Sequence, residues 1–258
     1  MINDLLWQGA NSDLLVRPSA GPHLSAEMVR IHALPSLFAV TMKSSFLRLL
    51  SLGAVAGTLT FGPEAWRAAL VFDRAGVALG EWWRLWTGHL VHFSAAHLGA
   101  NLLGLGVVAV MSGLRRNGAE SAPRPRAWLW VGGMLIAPPL LSLALFALEP
   151  AMGTYGGLSG LVCGLLTFTA LELIAAPAAA DPMRGARIWG AALLVVIAMK
   201  SVGDLLAQSF SFVAFDSTAD VRVSAWAHAA GALLGLAFFL SRPRRKSCPL
   251  PPAGVPAS

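Results

Sequence analysis

Residues 154–176 read Thr-Tyr-Gly-Gly-Leu-Ser-Gly-Leu-Val-Cys-Gly-Leu-Leu-Thr-Phe-Thr-Ala-Leu-Glu-Leu-Ile-Ala-Ala. From Gly157 onward this is an apolar run close to the roughly 20 residues a helix needs to cross the hydrocarbon core of a bilayer. A serine, Ser159, stands in its first turn. Gly160 and Gly164 follow at a spacing that puts two small residues on one helix face, where another helix can approach closely. Five more apolar runs lie near 44–62, 94–114, 127–148, 188–209 and 223–241. They are continuous and do not alternate, which favours helices over a barrel.

Composition agrees with a lipid environment. Hydrophobic residues make up 56% of the 258 positions and charged residues only 12%, about half the roughly 25% charge of a soluble domain. That leaves too little polar surface to cover a water-soluble globule. The mean hydropathy is +0.65. The net charge of +6 does not read as a nucleic-acid stripe, because the basic residues are spread over short loops and a tail between apolar runs. Cys163 falls inside an apolar run and Cys248 in the tail, at opposite expected depths, so neither a disulfide nor a metal-ligand spacing is expected.

Three regions follow from this pass. Residues 1–41 have no sustained periodicity and no evident cleavable signal peptide. They are either a cytosolic extension or the product of a start placed too early, with Met42 the initiator. Residues 42–241 carry the six runs. Residues 242–258 are a basic, Pro-rich tail. Between the first two runs, residues 63–93 hold Trp66, Trp82, Trp83 and Trp86 among Arg67, Arg74 and Arg84, a composition for lying in the membrane interface and not crossing it.

Orientation is read from the basic residues. Arg115, Arg116, Arg124 and Arg126 follow the second run, Arg184 and Arg187 the fourth, and Arg242, Arg244, Arg245 and Lys246 the sixth. The loop after the third run has only Glu149, and the loop after the fifth has Asp216, Asp220 and Arg222. The positive-inside rule then puts both termini in the cytoplasm. Runs two, four and six start on the outer side, so the residues of their first turns share a depth.

The polar residues at that depth are chemically coherent. His97 and Asn101, at i and i+4, share a face at the start of run two. Ser159 opens run four, and His228, the only histidine in the C-terminal half, lies near the start of run six. A serine hydroxyl is a weak nucleophile and needs a base. His228 is the candidate to take its proton and later protonate a leaving amine. The Asn101 amide, the His97 ring N–H and the Ser159 backbone N–H are candidate donors to a tetrahedral oxyanion. Gly231 and Gly235 repeat on run six the small-residue face of Gly160 and Gly164.

These residues resemble the rhomboid intramembrane serine protease family over about 80–241. The resemblance rests on Trp83-Arg84, the stretch from Gly88 to Ser94 (GHLVHFS), His97 with Asn101, Gly157-Leu-Ser159-Gly160, and Ala227-His228 followed by Gly231 and Gly235. Each element is weak alone; in this order and together they are specific. The wording from Trp83 to His92 (WRLWTGHLVH) and from Tyr155 to Gly160 (YGGLSG) is most similar to the rhombosortase subgroup. The resemblance implies an all-α, six-transmembrane-helix bundle and a serine endopeptidase, with Ser159 as nucleophile, His228 as general base, and His97, Asn101 and Ser159 forming the oxyanion hole. It implies no cofactor and no metal. Substrates would be transmembrane-anchored proteins of a bacterial inner membrane, cut on the periplasmic side. For the subgroup, the cut lies near a C-terminal Gly-Gly that precedes the anchor. One position departs from the family: many rhomboids have a Tyr packed on the catalytic His four residues after the nucleophile, and here Cys163 stands there. The group that orients His228 is left unassigned.

Plainer readings stand beside these. A serine in a transmembrane helix usually bonds to its own helix, and His97 and Asn101 could simply tie helices together. His89 and His92 read as structural hydrogen-bonders, because no acidic or cysteine ligand accompanies them and His97 for a metal. Lys200 and Asp204, at i and i+4, read as an ion pair sheltering two costly charges, or as a polar hinge on a gating helix. Two rival functions are a catalytically silent rhomboid-like protein that binds membrane clients and a small transporter. The second needs ionisable groups through the full bilayer depth or an inverted repeat, and the sequence offers neither.

Overall fold

A computed structural model describes residues 51–117, 127–176, 185–207 and 224–242. The 1–41 extension, the first residues of the first run, the loop carrying Arg124 and Arg126, the acidic loop after the fifth run and most of the tail lie outside the described residues. The described residues are mostly helical: α1 (Ser51–Phe61), α2 (Glu64–Leu70), α3 (Arg74–Ala78), α4 (Arg84–Thr87), a 3-10 turn (Gly88–Leu90), α5 (Ala95–Asn117), α6 (Ala127–Leu148), α7 (Ser159–Ile174), α8 (Ala186–Ala207) and α9 (Ala225–Ser241). Two two-residue strands, β1 (Phe72–Asp73) and β2 (Thr154–Tyr155), pair antiparallel. By length and composition, α5 and α8 are each apolar enough to cross a membrane, whereas α1, α7, α9 and the Leu135–Leu148 part of α6 are shorter apolar helices.

α7 starts two residues later than the apolar run because the run opens with a turn. Gly157 has φ +112°, a region L side chains avoid. A Cβ on Gly156 would lie 2.8 Å from the Val91 carbonyl oxygen, so the chain passes there at backbone distance. The 63–93 segment forms short helices and the strand β1, none able to cross a bilayer. Trp82, Trp83 and Trp86 are exposed on it, as an interfacial segment requires.

Two arginines fasten this segment to the helices. Arg74 donates from Nε to the Met152 carbonyl at 2.9 Å and from Nη2 to those of Phe146 and Glu149 at 2.7 and 2.9 Å. It thereby satisfies carbonyls that the end of α6 leaves open. Arg84, buried, donates from Nη1 to the carbonyls of Ala68 and Val71, each at 2.7 Å, and pairs with Glu81.

Pro138 and Pro139 lie inside α6. Pro139 has no N–H for the Leu135 carbonyl, which would otherwise take it in the helical ladder. The Trp86 indole N–H donates to that carbonyl instead, at 2.8 Å. One turn on, His89 Nε2 lies 3.0 Å from both the Pro138 carbonyl and Ser142 Oγ. Ser142 Oγ donates to the Leu85 carbonyl at 2.9 Å. The proline pair is therefore a docking point for α4 and the 3-10 turn.

α7 is the central helix, packed on α9 and α8 and touching α5 and α6. Its contact with α9 is made by the four glycines. A Cβ on Gly160 would sit 2.8 Å from the Ala227 carbonyl oxygen, and one on Gly164 the same distance from that of Gly231. The core of Phe72, Leu85, Leu141, Leu145, Tyr155 and Leu161 lies where β1, α4, α6 and α7 meet. Away from it, large apolar residues face outward, including Leu103, Ile188, Met199 and Leu233. Water would oppose such a surface; lipid does not.

Candidate active site

Ser159 is the first residue of α7. Free backbone N–H groups cluster there, because the first turn of a helix has no intrahelical acceptors for them. Tyr155 is buried just before it. Its hydroxyl donates to the Gly157 carbonyl at 3.1 Å and lies within hydrogen-bonding range of the Ser159 side chain and the Gly160 N–H. Burial pushes the Tyr155 hydroxyl up to about 12, so it stays protonated at neutral pH.

His97 and Asn101 come from the first two turns of α5. Ser94 caps that helix, its Oγ accepting from the His97 backbone N–H at 3.1 Å. The His97 ring rests on Gly157, where a Cβ would lie 2.6 Å from its Nε2. It also meets the His92 ring edge-on, with centroids 4.9 Å apart. Asn101 is buried, and its Nδ2 has no acceptor among the described residues. An amide donor in that state is costly at rest unless another charge or oxygen meets it.

His228 lies in the first turn of α9. Ser224 caps this helix by accepting from the Ala227 N–H at 3.1 Å, and donates its own hydroxyl proton to Glu149 at 2.5 Å. α7 and α9 touch at Gly160 and Ala227, one residue past Ser159 and one before His228. His97 and His228 are close enough to influence each other electrostatically. The starts of α5, α7 and α9 carry His97 and Asn101, Ser159, and His228 respectively, and the contacts of His97 with Gly157 and of Gly160 with Ala227 draw these three helix starts together.

The orientation of His228, unassigned by sequence, has a partner in the structure. Its Nδ1 is hydrogen-bonded to Oδ2 of Asp204 from α8, while Oδ1 of the same carboxylate pairs with Lys200. The Lys200–Asp204 ion pair expected from the i, i+4 spacing is present, and the contact to His228 was missed. The sequence carried no separate signal for it, because the i, i+4 spacing to Lys200 already supplies Asp204 with a partner. Glu149 and Tyr155 were also passed over, because nothing local in the sequence shows what they reach. His89 makes structural hydrogen bonds, as expected. Burial lowers its pKa to about 4, so it is neutral at pH 7.

The apolar helices, two of them long enough to cross a membrane, fit an integral membrane protein with polar residues where three of its helices begin. The family model for the Rhomboid domain matches residues 79–244, well over half of the chain and nearly the stretch over which the motifs lie. The chain belongs to the rhomboid family, whose members are typically intramembrane serine proteases acting on membrane-embedded substrates. No curated protein matches it in a sequence search.

Proposed function

We propose that this rhomboid is an active serine endopeptidase with Ser159 as nucleophile and His228 as general base. The observation that carries this reading is the buried Asn101 amide, which has no acceptor among the described residues and lies one turn along α5 from His97, whose ring is against Gly157. Donors held ready for a charge that appears only during reaction are what acyl transfer requires.

Ser159 Oγ attacks the scissile carbonyl carbon as its proton passes to His228 Nε2. The carbonyl π electrons move to oxygen, where Asn101, His97 and the Ser159 N–H donate to the oxyanion. When the intermediate collapses, the C–N bond breaks and the leaving amine takes the proton from His228, giving an acyl-enzyme on Ser159. Water then repeats the sequence, its proton going to His228 and returning to Ser159 as the acid is released. No step calls for a metal or cofactor.

In this reading residues 42–241 form a six-span bundle in a bacterial inner membrane, with both termini cytoplasmic and the chamber open to the periplasm. Substrates are exported proteins held by a transmembrane anchor and cut beside a C-terminal Gly-Gly. The test is co-expression with a secreted reporter that ends in Gly-Gly, an apolar segment and a basic cluster. The expected outcome is release of a shortened reporter by the wild type and none by Ser159→Ala. A reporter that stays anchored, while one carrying a different transmembrane segment is cut, would contradict the Gly-Gly specificity.

A further inference from the structure

We infer that Asp204 is the third member of the catalytic relay, a positioning residue that fixes the tautomer and angle of His228. This rests on the assignment of Ser159 and His228 made above. The two oxygens of Asp204 are divided between two helices: Oδ1 faces Lys200 on its own α8, and Oδ2 faces His228 Nδ1 on α9. The carboxylate is 2% exposed and the imidazole 8%, so water competes little for either bond. An ionised carboxylate can only accept. Nδ1 must therefore carry the hydrogen, which leaves the Nε2 lone pair free to act on Ser159.

An ion pair alone would not need this geometry. Lys200, one turn away on the same helix, already neutralises Asp204. The second oxygen is committed to the ring, and it stabilises the imidazolium formed when His228 takes the Ser159 proton. Lys200 acts in the opposite sense, as a nearby positive charge that disfavours that imidazolium. Cys163, on the α7 face beside Lys200 and Asp204, is too small to hold the ring by packing, so the hydrogen bond does the orienting. The charged and titratable groups around His228 are Asp204 from α8, hydrogen-bonded to it, Lys200 through that shared carboxylate, and His97 from α5, while Cys163 of α7 lies near Lys200 and Asp204.

The experiment measures the rate constant of labelling by a fluorophosphonate against pH, on the full-length protein in detergent. A rate constant, unlike a labelled amount, does not depend on how much protein is folded. Wild type is compared with Ser159→Ala, His228→Ala, Asp204→Asn and Lys200→Met. Asp204→Asn is expected to lower the rate constant by up to about 10,000-fold, the effect of losing a tautomer-fixing carboxylate, and to move the acid limb of the profile to lower pH. Lys200→Met is expected to move that limb to higher pH. If Ser159→Ala and His228→Ala abolish labelling while Asp204→Asn keeps the wild-type rate constant and acid limb, losing at most labelled amount, Asp204 is merely structural and the inference is overturned. Should Asp204→Asn not fold, an acid limb unmoved in Lys200→Met overturns it equally. Labelling that persists in Ser159→Ala removes the serine assignment itself, and this inference with it.

Discussion

Asn101 is where chemistry and stability conflict most clearly. Its buried Nδ2, with no acceptor among the described residues, costs the resting protein the desolvation of an unpaired donor. Asn101→Leu should therefore fold at least as well as wild type, yet lose about 100- to 1,000-fold in turnover, the usual effect of removing one oxyanion donor. Thermal unfolding alongside reporter cleavage checks this; equal loss of both would make Asn101 a structural tie. His89 shows the reverse balance. Its pKa is about 4 when buried, against 6.5 in an open chain. Between those values the unfolded chain holds a proton that the folded one excludes, so stability is full above pH 6.5 and falls as the pH drops towards 4. The loss is on the order of 3 kcal/mol by pH 4. His92, lowered to about 4 chiefly by burial, adds a parallel slope. Melting temperatures from pH 7 to 4.5 should decline steeply in wild type and less steeply in His89→Gln. The four proposed site residues could be picked out of the sequence because helical spacing and shared depth mark them. Asp204 could not, because its spacing to Lys200 already offered a sufficient explanation, and only the crossing of α8 and α9 reveals the second partner.

At the scale of elements, the pairing of α7 with α9 carries the site. Gly160, Gly164, Gly231 and Gly235 leave backbone against backbone, with no room for a side chain at Gly164 next to the Gly231 carbonyl. Gly164→Leu should separate the two helices, cost about 1–3 kcal/mol as overpacking, and reduce cleavage more than it reduces the folded fraction, since Ser159 and His228 sit one turn above. Size-exclusion profile and specific activity measured together check this; an unaltered specific activity would mean the helix contact does not set the site. This pairing was readable in advance, because small residues four apart beneath both candidates leave few other interpretations. Ser159 stands at the N-terminus of α7, within the first turn of the run as expected, but the turn just before it was not legible, since the positive φ of Gly157 and the close pass at Gly156 depend on Val91 and His97 from a distant segment. The anchoring of the 63–93 stretch was equally hidden. Arg74 and Arg84 read as interfacial charges, whereas they cap α6 and α2, and the role of Trp86 becomes visible only once Pro139 has vacated the Leu135 carbonyl.

For the whole molecule, hydropathy settled the solvent and the motifs settled the family, because both are properties of the sequence as a string. The approach of the proposed site residues is a property of distant segments meeting: the 3-10 turn, the Gly156–Gly157 turn and the starts of α5, α7 and α9. Away from those segments many large apolar side chains face outward, among them Leu103, Ile188, Met199 and Leu233, so the proposed site residues are polar groups in a body that otherwise suits lipid. In the proposed reading this setting gives Ser159 a reactivity no ordinary transmembrane serine has. The most direct test is endpoint labelling of the detergent-solubilised protein with a fluorescent fluorophosphonate. The expected result is a labelled wild type and no label on Ser159→Ala or His228→Ala at equal folded amounts. Label retained by Ser159→Ala would show that the nucleophile is another residue. A folded wild type that takes no label under conditions that mark an active serine hydrolase would contradict the protease reading and favour a silent client-binding rhomboid.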